Sequence, residues 1–242
     1  MAERRVAVIL AGGKGTRLAP YTAIFPKPLV PLGQFPVVEI LVRQLVASGF
    51  NELIFCTGYL GELLRAYFHN HPLKKKGISF TWIKESSPLG TAAPLRLIDN
   101  LPEHFLVLNG DLFTTLDFGR LYKNHVTSGA TLTIAMHSKR IKLQLGVVKH
   151  DGRKVTGYLE KPAYDYDVSM GIYAYSKKAL EFIPEGKIMD FPDLVQTLGK
   201  AGELVECEFS EARWLDIGNP DDYAAAQEKF AAEPSVYLQE IE

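Results

Sequence analysis

Val6-Ala7-Val8-Ile9-Leu10-Ala11-Gly12-Gly13-Lys14-Gly15-Thr16-Arg17-Leu18, followed by Pro26-Lys27-Pro28, is the stretch whose reading decides the fold. The apolar run Val6 to Leu10 reads as a buried strand. It breaks directly into glycines, the loop ends at an arginine, and a lysine held between two prolines follows. Glycines let backbone N–H groups approach an anion, and fixed cations complete the cradle. Such a loop suits a triphosphate, so a nucleotide enzyme is the first expectation. The chain has no G-x-x-x-x-G-K-[ST] loop, and Gly13-Lys14-Gly15-Thr16-Arg17-Leu18 ends in leucine, so it is not the dinucleotide fingerprint. A glycine pair after a strand, taken alone, is also ordinary tight-turn chemistry.

The bulk properties fit that expectation. A chain of 242 residues with 47% hydrophobic and 23% charged residues is a soluble globular composition with ample core. A net charge of −1 gives no basic surface for nucleic acid or membrane. The run Lys74-Lys75-Lys76 reads as a solvated loop after a helix. Cys56 and Cys207 sit in separate apolar, strand-like runs and offer neither metal spacing nor a disulfide framework. His69 and His71 lie at an expected helix end, where polarity rather than metal binding explains them. The N-terminus enters a strand with no signal-peptide pattern, and no apolar run is long enough to span a bilayer, so a cytoplasmic location is expected.

Outward from the opening strand, Leu53–Cys56, Ile78–Ile83 and Phe105–Leu108 read as further strands. Between them lie amphipathic segments near Val37–Ser48, Gly61–Phe68 and Ala92–Asp99. This alternation predicts an α/β fold, a Rossmann-like, doubly wound, mostly parallel sheet, with nucleotide at the carboxyl ends of the strands. From about Thr131 the pattern changes. Thr131–Met136, Leu145–Lys149, Val155–Leu159 and Val168–Tyr175 form a hairpin-rich section packed on the parallel half, which makes the sheet mixed. Helical stretches near Lys177–Ile183 and Asp193–Leu198, a last strand pair and a helix over Pro220–Phe230 follow. One domain is expected over 1–232, and 233–242 reads as a weakly patterned tail, loose or serving a partner.

The whole string L-A-G-G-x-G-T-R-L…P-K-P resembles the signature of the sugar-1-phosphate nucleotidyltransferases. Further motifs of that family recur in order, and the resemblance runs from Val6 to about Tyr223. It implies the nucleotide-diphospho-sugar transferase fold, and a reaction in which a sugar 1-phosphate attacks the α-phosphorus of a nucleoside triphosphate. Both reactants are anions, so catalysis is positioning and charge neutralisation by Mg²⁺, arginine and lysine. By resemblance, Arg17 lies over the triphosphate, Lys27 reaches the α-phosphate, and Leu10, Ala11, Gly12, Gly13, Gly15 and Thr16 form the nucleotide loop.

Asp111 follows a buried strand in Leu108-Asn109-Gly110-Asp111, where a carboxylate is well placed for Mg²⁺; N-G-D is equally good turn chemistry. Asp216, in Trp214-Leu215-Asp216-Ile217-Gly218-Asn219-Pro220, matches the family's second metal aspartate, with an N-cap or turn residue as the alternative. Glu160-Lys161-Pro162 resembles the E-K-P motif, whose glutamate meets sugar hydroxyls and whose lysine meets the sugar phosphate. Gly146 matches the glycine whose backbone contacts the sugar. Val168-Ser169-Met170-Gly171-Ile172-Tyr173 departs from V-N-A-G-I-Y: Ser169 stands for the asparagine and Met170 for a small residue, which leaves the sugar open.

Base identity rests on Glu85 and on Leu89-Gly90-Thr91-Ala92, a string resembling the mannose-1-phosphate and heptose-1-phosphate guanylyltransferases. Guanine presents two donors on its pairing edge, and an ionised carboxylate is acceptor-only. Glu85 therefore favours GTP, while Gly90 and Thr91 belong to the same nucleotide site. Solvent exposure or a pair with Lys84 is the other reading of Glu85. The expected ligands are a nucleoside triphosphate, a sugar 1-phosphate and Mg²⁺, with a homodimer as the expected assembly and no nucleic acid or membrane partner. UTP or CTP chemistry, and a catalytically inactive subunit that binds nucleotide sugar, are the competing readings.

Overall fold

The computed structural model describes residues 3–238. The strands are β1 (Val6–Ala11), β2 (Pro31–Leu32), β3 (Phe35–Pro36), β4 (Glu52–Thr57), β5 (Ser79–Lys84), β6 (His104–Asn109), β7 (Leu112–Thr114), β8 (Leu132–Lys142), β9 (Val147–Asp151), β10 (Lys154–Leu159), β11 (Ala163–Ser176), β12 (Val205–Phe209) and β13 (Trp214–Asp216). The helices are α1 (Val37–Ala47), α2 (Gly61–Tyr67), α3 (Phe118–Ser128), α4 (Phe191–Lys200), α5 (Pro220–Ala232) and α6 (Pro234–Tyr237).

Seven strands form one sheet in the order β12-β8-β11-β6-β1-β4-β5. Every pairing in it is parallel except the two made by β11, so one reversed strand makes the sheet mixed. Alternation along β1 feeds two cores. Ala7 and Ile9 face α1, α2 and α3, while Val6 and Val8 face α4 and two short 3-10 turns. A third core gathers Leu18, Val30, Phe113 and Ile217 under α5 and α6. β9 and β10 pair as a hairpin of their own, and the outer halves of β8 and β11 pair as a long ribbon.

Several expectations are corrected. Ala92–Asp99 and Lys177–Ile183 are not α-helices: they hold 3-10 turns at Ala93–Leu97 and Lys177–Phe182, each with a proline or a short buried face that cannot sustain regular packing. The last two strands do not pair with each other, since β12 joins β8 and β13 joins β7. The tail is not loose over 234–238, because Tyr237 is fully buried in the third core. Residues 239–242 lie outside the described residues. α3 had no counterpart in the sequence reading. Asp117 caps it by accepting from the Arg120 N–H at 2.9 Å, and Gly129 closes it in the left-handed region. No helix among the described residues is long and apolar enough to cross a membrane.

Candidate active site

The site lies at the carboxyl edge of β1, β4 and β6. A cleft of about 630 Å³ is lined there by residues that include Leu10, Gly12, Gly13, Lys14, Glu85, Gly90, Thr91, Asn109 and Asp111. The glycine loop leaves β1 at Ala11, whose side chain is buried in the core. Gly58, in the turn after β4, sits so close that a Cβ there would stand 2.8 Å from the Gly12 carbonyl oxygen. Gly15 takes the left-handed conformation, and a Cβ on it would meet Lys27 at 3.1 Å. The Thr22 hydroxyl donates to the Gly15 carbonyl at 2.8 Å. The loop is thereby fastened to the segment that carries Lys27, and the 3-10 turn Thr16–Leu18 exposes Thr16 and Arg17 while burying Leu18.

Lys27 Nζ forms an ion pair with Asp111 Oδ2 and lies 3.6 Å from Asp216 Oδ1. The three residues come together because β7 and β13 pair antiparallel, with Leu112 opposite Asp216, and because the Ile217 N–H donates to the Asp111 carbonyl at 3.3 Å. Burial pushes the Asp111 carboxyl up from its ordinary range; the Lys27 cation opposes this, and the Asp216 charge adds to it. Asp111 Oδ1 is buried with no hydrogen-bond partner. Arg17 reaches the turn just after Asp216, its two terminal nitrogens 3.8 Å from where a Cβ on Gly218 would stand.

Glu85 is tied into its own loop. Its Oε2 accepts from the Leu89 N–H at 3.1 Å, and its Oε1 faces Gly12, where a Cβ would stand 2.7 Å away. Burial raises its carboxyl pKa, and the Leu89 N–H partly opposes the shift. Lys84 pairs with Glu62 at 3.2 Å instead of with Glu85. Gly90 has φ +88°, and a Cβ there would stand 2.5 Å from the Met189 carbonyl oxygen. The Thr91 hydroxyl donates to Asp190 Oδ1 at 3.2 Å and accepts from the Phe191 N–H at 2.8 Å. Asp190 was missing from the sequence reading. So were Gly58 and Tyr59 as lining residues. Gly58-Tyr59 directly follows β4, a strand end equivalent to that of β1, and that position was the available signal.

The other candidates stand on the β9–β10 hairpin and the β8–β11 ribbon or on the turns that join them. Glu160 and Lys161 are exposed at the turn between β10 and β11, Lys161 with φ +45°. Neither forms an ion pair with the Lys27 cluster among the described residues. A Cβ at Gly146 would overlap the Tyr158 hydroxyl, so that backbone is covered by an aromatic side chain. Ser169 donates to the Tyr173 hydroxyl at 3.2 Å and accepts from the Gly171 N–H at 3.3 Å, across an irregularity in β11. Met170 is fully buried in the core, and its carbonyl accepts from the Trp214 indole N–H at 2.9 Å. Its side chain therefore packs beneath the sheet, and its size does not alter the cleft directly.

Residues 6–233 match the Nucleotidyl transferase family, and the chain belongs to that family. The UTP--glucose-1-phosphate uridylyltransferase of Synechocystis sp. is 31% identical to it, over 90% of this chain and 61% of that protein. The mannose-1-phosphate guanylyltransferase catalytic subunit beta of Danio rerio is 32% identical, over 90% of this chain and 62% of that protein. This chain thus spans about three fifths of the length of these two relatives. The D-glycero-alpha-D-manno-heptose 1-phosphate guanylyltransferase of Aneurinibacillus thermoaerophilus is 28% identical, over 92% of this chain and 97% of that protein. The solved structure of HddC from Yersinia pseudotuberculosis complexed with GMP-PN superposes with a TM-score of 0.70 at 27% identity, over 93% of this chain and 99% of that one. The mixed, mostly parallel sheet flanked by helices is the fold of the nucleotide-diphospho-sugar transferases.

Proposed function

We propose that this chain transfers a nucleoside monophosphate from a nucleoside triphosphate to a sugar 1-phosphate, releasing pyrophosphate. The observation that carries this reading is the meeting of Lys27, Asp111 and Asp216 beside the glycine loop at the carboxyl edge of the sheet. In the proposed step a phosphate oxygen of the sugar 1-phosphate forms a bond to the α-phosphorus. The bond from that phosphorus to the bridging oxygen breaks, and its electrons leave with pyrophosphate. Backbone N–H groups of Gly12, Gly13 and Gly15 cradle the triphosphate. Arg17 neutralises the leaving group and Lys27 the α-phosphate, while Lys161 receives the sugar phosphate and Glu160 the sugar hydroxyls.

The carboxylates fit Mg²⁺. Asp111 Oδ1 is a buried oxygen with no partner, and Asp216 stands on the adjacent strand. Among the described residues no group of three or more His, Cys, Asp or Glu is gathered for a metal. Two carboxylates suit an ion that keeps several waters and takes its other oxygens from phosphates. When bound, Mg²⁺ supplies charge neutralisation for the phosphates. Asp111 and Asp216 would hold it, and Lys27 would exchange its carboxylate partners for substrate oxygens.

GTP is the proposed nucleotide and a mannose- or heptose-type 1-phosphate the proposed sugar, with UTP or CTP as the second reading. The Glu85 carboxylate at the cleft favours GTP, because its acceptors match the guanine pairing edge. Relatives named for UTP and for guanylyl transfer are about equally similar, which keeps the second reading open. The experiment is pyrophosphate release with Mg²⁺, four nucleoside triphosphates and a panel of sugar 1-phosphates. Turnover with GTP alone supports the full reading. Turnover only with UTP, CTP or dTTP keeps the reaction class and removes the role given to Glu85. Silence across the panel favours a subunit that binds without turnover.

A further inference from the structure

The C-terminal segment touches the site only indirectly, yet it is fastened to the strand pair that brings the two aspartates together. β7 and β13 are three residues each, too short to hold their own register. Phe113, in the middle of β7, stacks on Tyr237 at 4.0 Å between ring centroids and 22° between planes. Both rings are essentially fully buried. Gln44 of α1 donates from one amide nitrogen to two carbonyls, that of Thr114 on β7 at 2.8 Å and that of Tyr237 at 3.1 Å. On the other strand, Arg213 precedes β13 and pairs with Glu233 at 3.1 Å. Thr114 and Thr115 in turn hold the Arg213 backbone through three hydrogen bonds of 2.9 to 3.0 Å.

We propose that residues 233–238 are a clasp that sets the spacing of Asp111 and Asp216, with Tyr237 as its positioning residue. The clasp acts from behind. Phe113 and Leu215 face the third core, while Leu112 and Asp216 form the rung nearest Lys27. Loss of the Tyr237 ring would leave a void against Phe113, and among the described residues no other ring stacks on the short ladder at that distance. The two carboxylates would then lose their fixed separation. Groups that orient metal ligands from outside the coordination shell change metal affinity about 10- to 100-fold when removed. Most of the clasp lies beyond residue 233, where the family match ends.

This inference rests on Asp111 and Asp216 being divalent-cation carboxylates, and the test separates the two. Mn²⁺ alone is titrated into the whole chain without nucleotide, and free Mn²⁺ is followed by electron paramagnetic resonance well below the melting temperature. The wild type is expected to bind Mn²⁺, and Asp111→Asn to lose it. Tyr237→Ala and Gln44→Ala are each expected to weaken Mn²⁺ binding about tenfold or more, and Tyr237→Phe to restore wild-type binding. A purely structural role would lower the melting temperature while leaving Mn²⁺ affinity unchanged in folded protein, and that result overturns the clasp. Should Tyr237→Ala fail to fold, Gln44→Ala decides. No Mn²⁺ binding by the wild type overturns the carboxylate reading itself, and the clasp with it.

Discussion

Asp216 lies one rung from Asp111, opposite Leu112, and both carboxylates reach the same lysine nitrogen on Lys27. A cation between two carboxylates, one of them buried, holds the site together before any ligand arrives. Lys27→Ala and Asp111→Ala are each expected to cut turnover at least about a hundredfold while leaving the fold intact. Steady-state pyrophosphate release and circular dichroism check this, and near-normal turnover in either variant contradicts the assignment.

Glu85 both shapes its loop and presents acceptors to the cleft. Glu85→Gln keeps an oxygen for the Leu89 N–H and adds an amide donor. The ratio of kcat/KM for GTP to that for UTP is expected to fall about tenfold or more. An unchanged ratio would assign Glu85 to loop structure alone.

His125 is fully buried, bonded to the Thr133 hydroxyl at 2.8 Å and near the Ser176 hydroxyl. Burial first, and neighbouring His104 second, lower its pKa to about 4, against smaller opposing effects of the Tyr175 backbone and Glu206. Between about pH 6.5 and 4 the unfolded chain binds a proton that the folded chain refuses. Stability therefore falls on acidification, by up to about 3 kcal/mol from this group. Urea unfolding at pH 7.5 and 4.5 should show the loss, and His125→Asn should flatten it.

Glu39 is buried in α1, with Arg43 Nε at 2.6 Å and His71 Nε2 at 2.8 Å. Replacing it leaves the Arg43 guanidinium and the His71 ring without the carboxylate they share. Glu39→Ala is expected to cost about 3 kcal/mol, read as a drop in the urea midpoint with unchanged slope. Turnover well below the melting temperature should stay near wild type, because none of the three touches the cleft.

The parallel half was legible because β1, β4 and β6 carry short apolar runs ending in turn signals, while β5 alternates apolar and polar residues. Gly12, Gly13 and Lys27 were legible because one contiguous motif carries them. Asp111 could be read as a strand-end carboxylate, but its meeting with Asp216 depends on pairing two three-residue strands a hundred residues apart, for which no local pattern exists. The same distance hid Asp190, which holds Thr91 from ninety-nine positions away. α3 was hidden by composition: Arg120, Lys123, Asn124, Thr127 and Ser128 dilute its apolar face, although Asp117 and Gly129 mark its two ends. The packing of 234–238 was not legible because Tyr237, the side chain that anchors it, has no apolar periodicity around it.

β11 alone runs against the other strands of the sheet. Its first half therefore emerges at the edge where β1 and β6 end, alongside the last half of β8. Residues can be added to or removed from these two strands in matched pairs while the far edge of the sheet keeps its register. In the proposed reaction, a change of acceptor size would be met by altering the reach of this β8–β11 ribbon, and the cleft at the ends of β1, β4 and β6 would inherit none of that change.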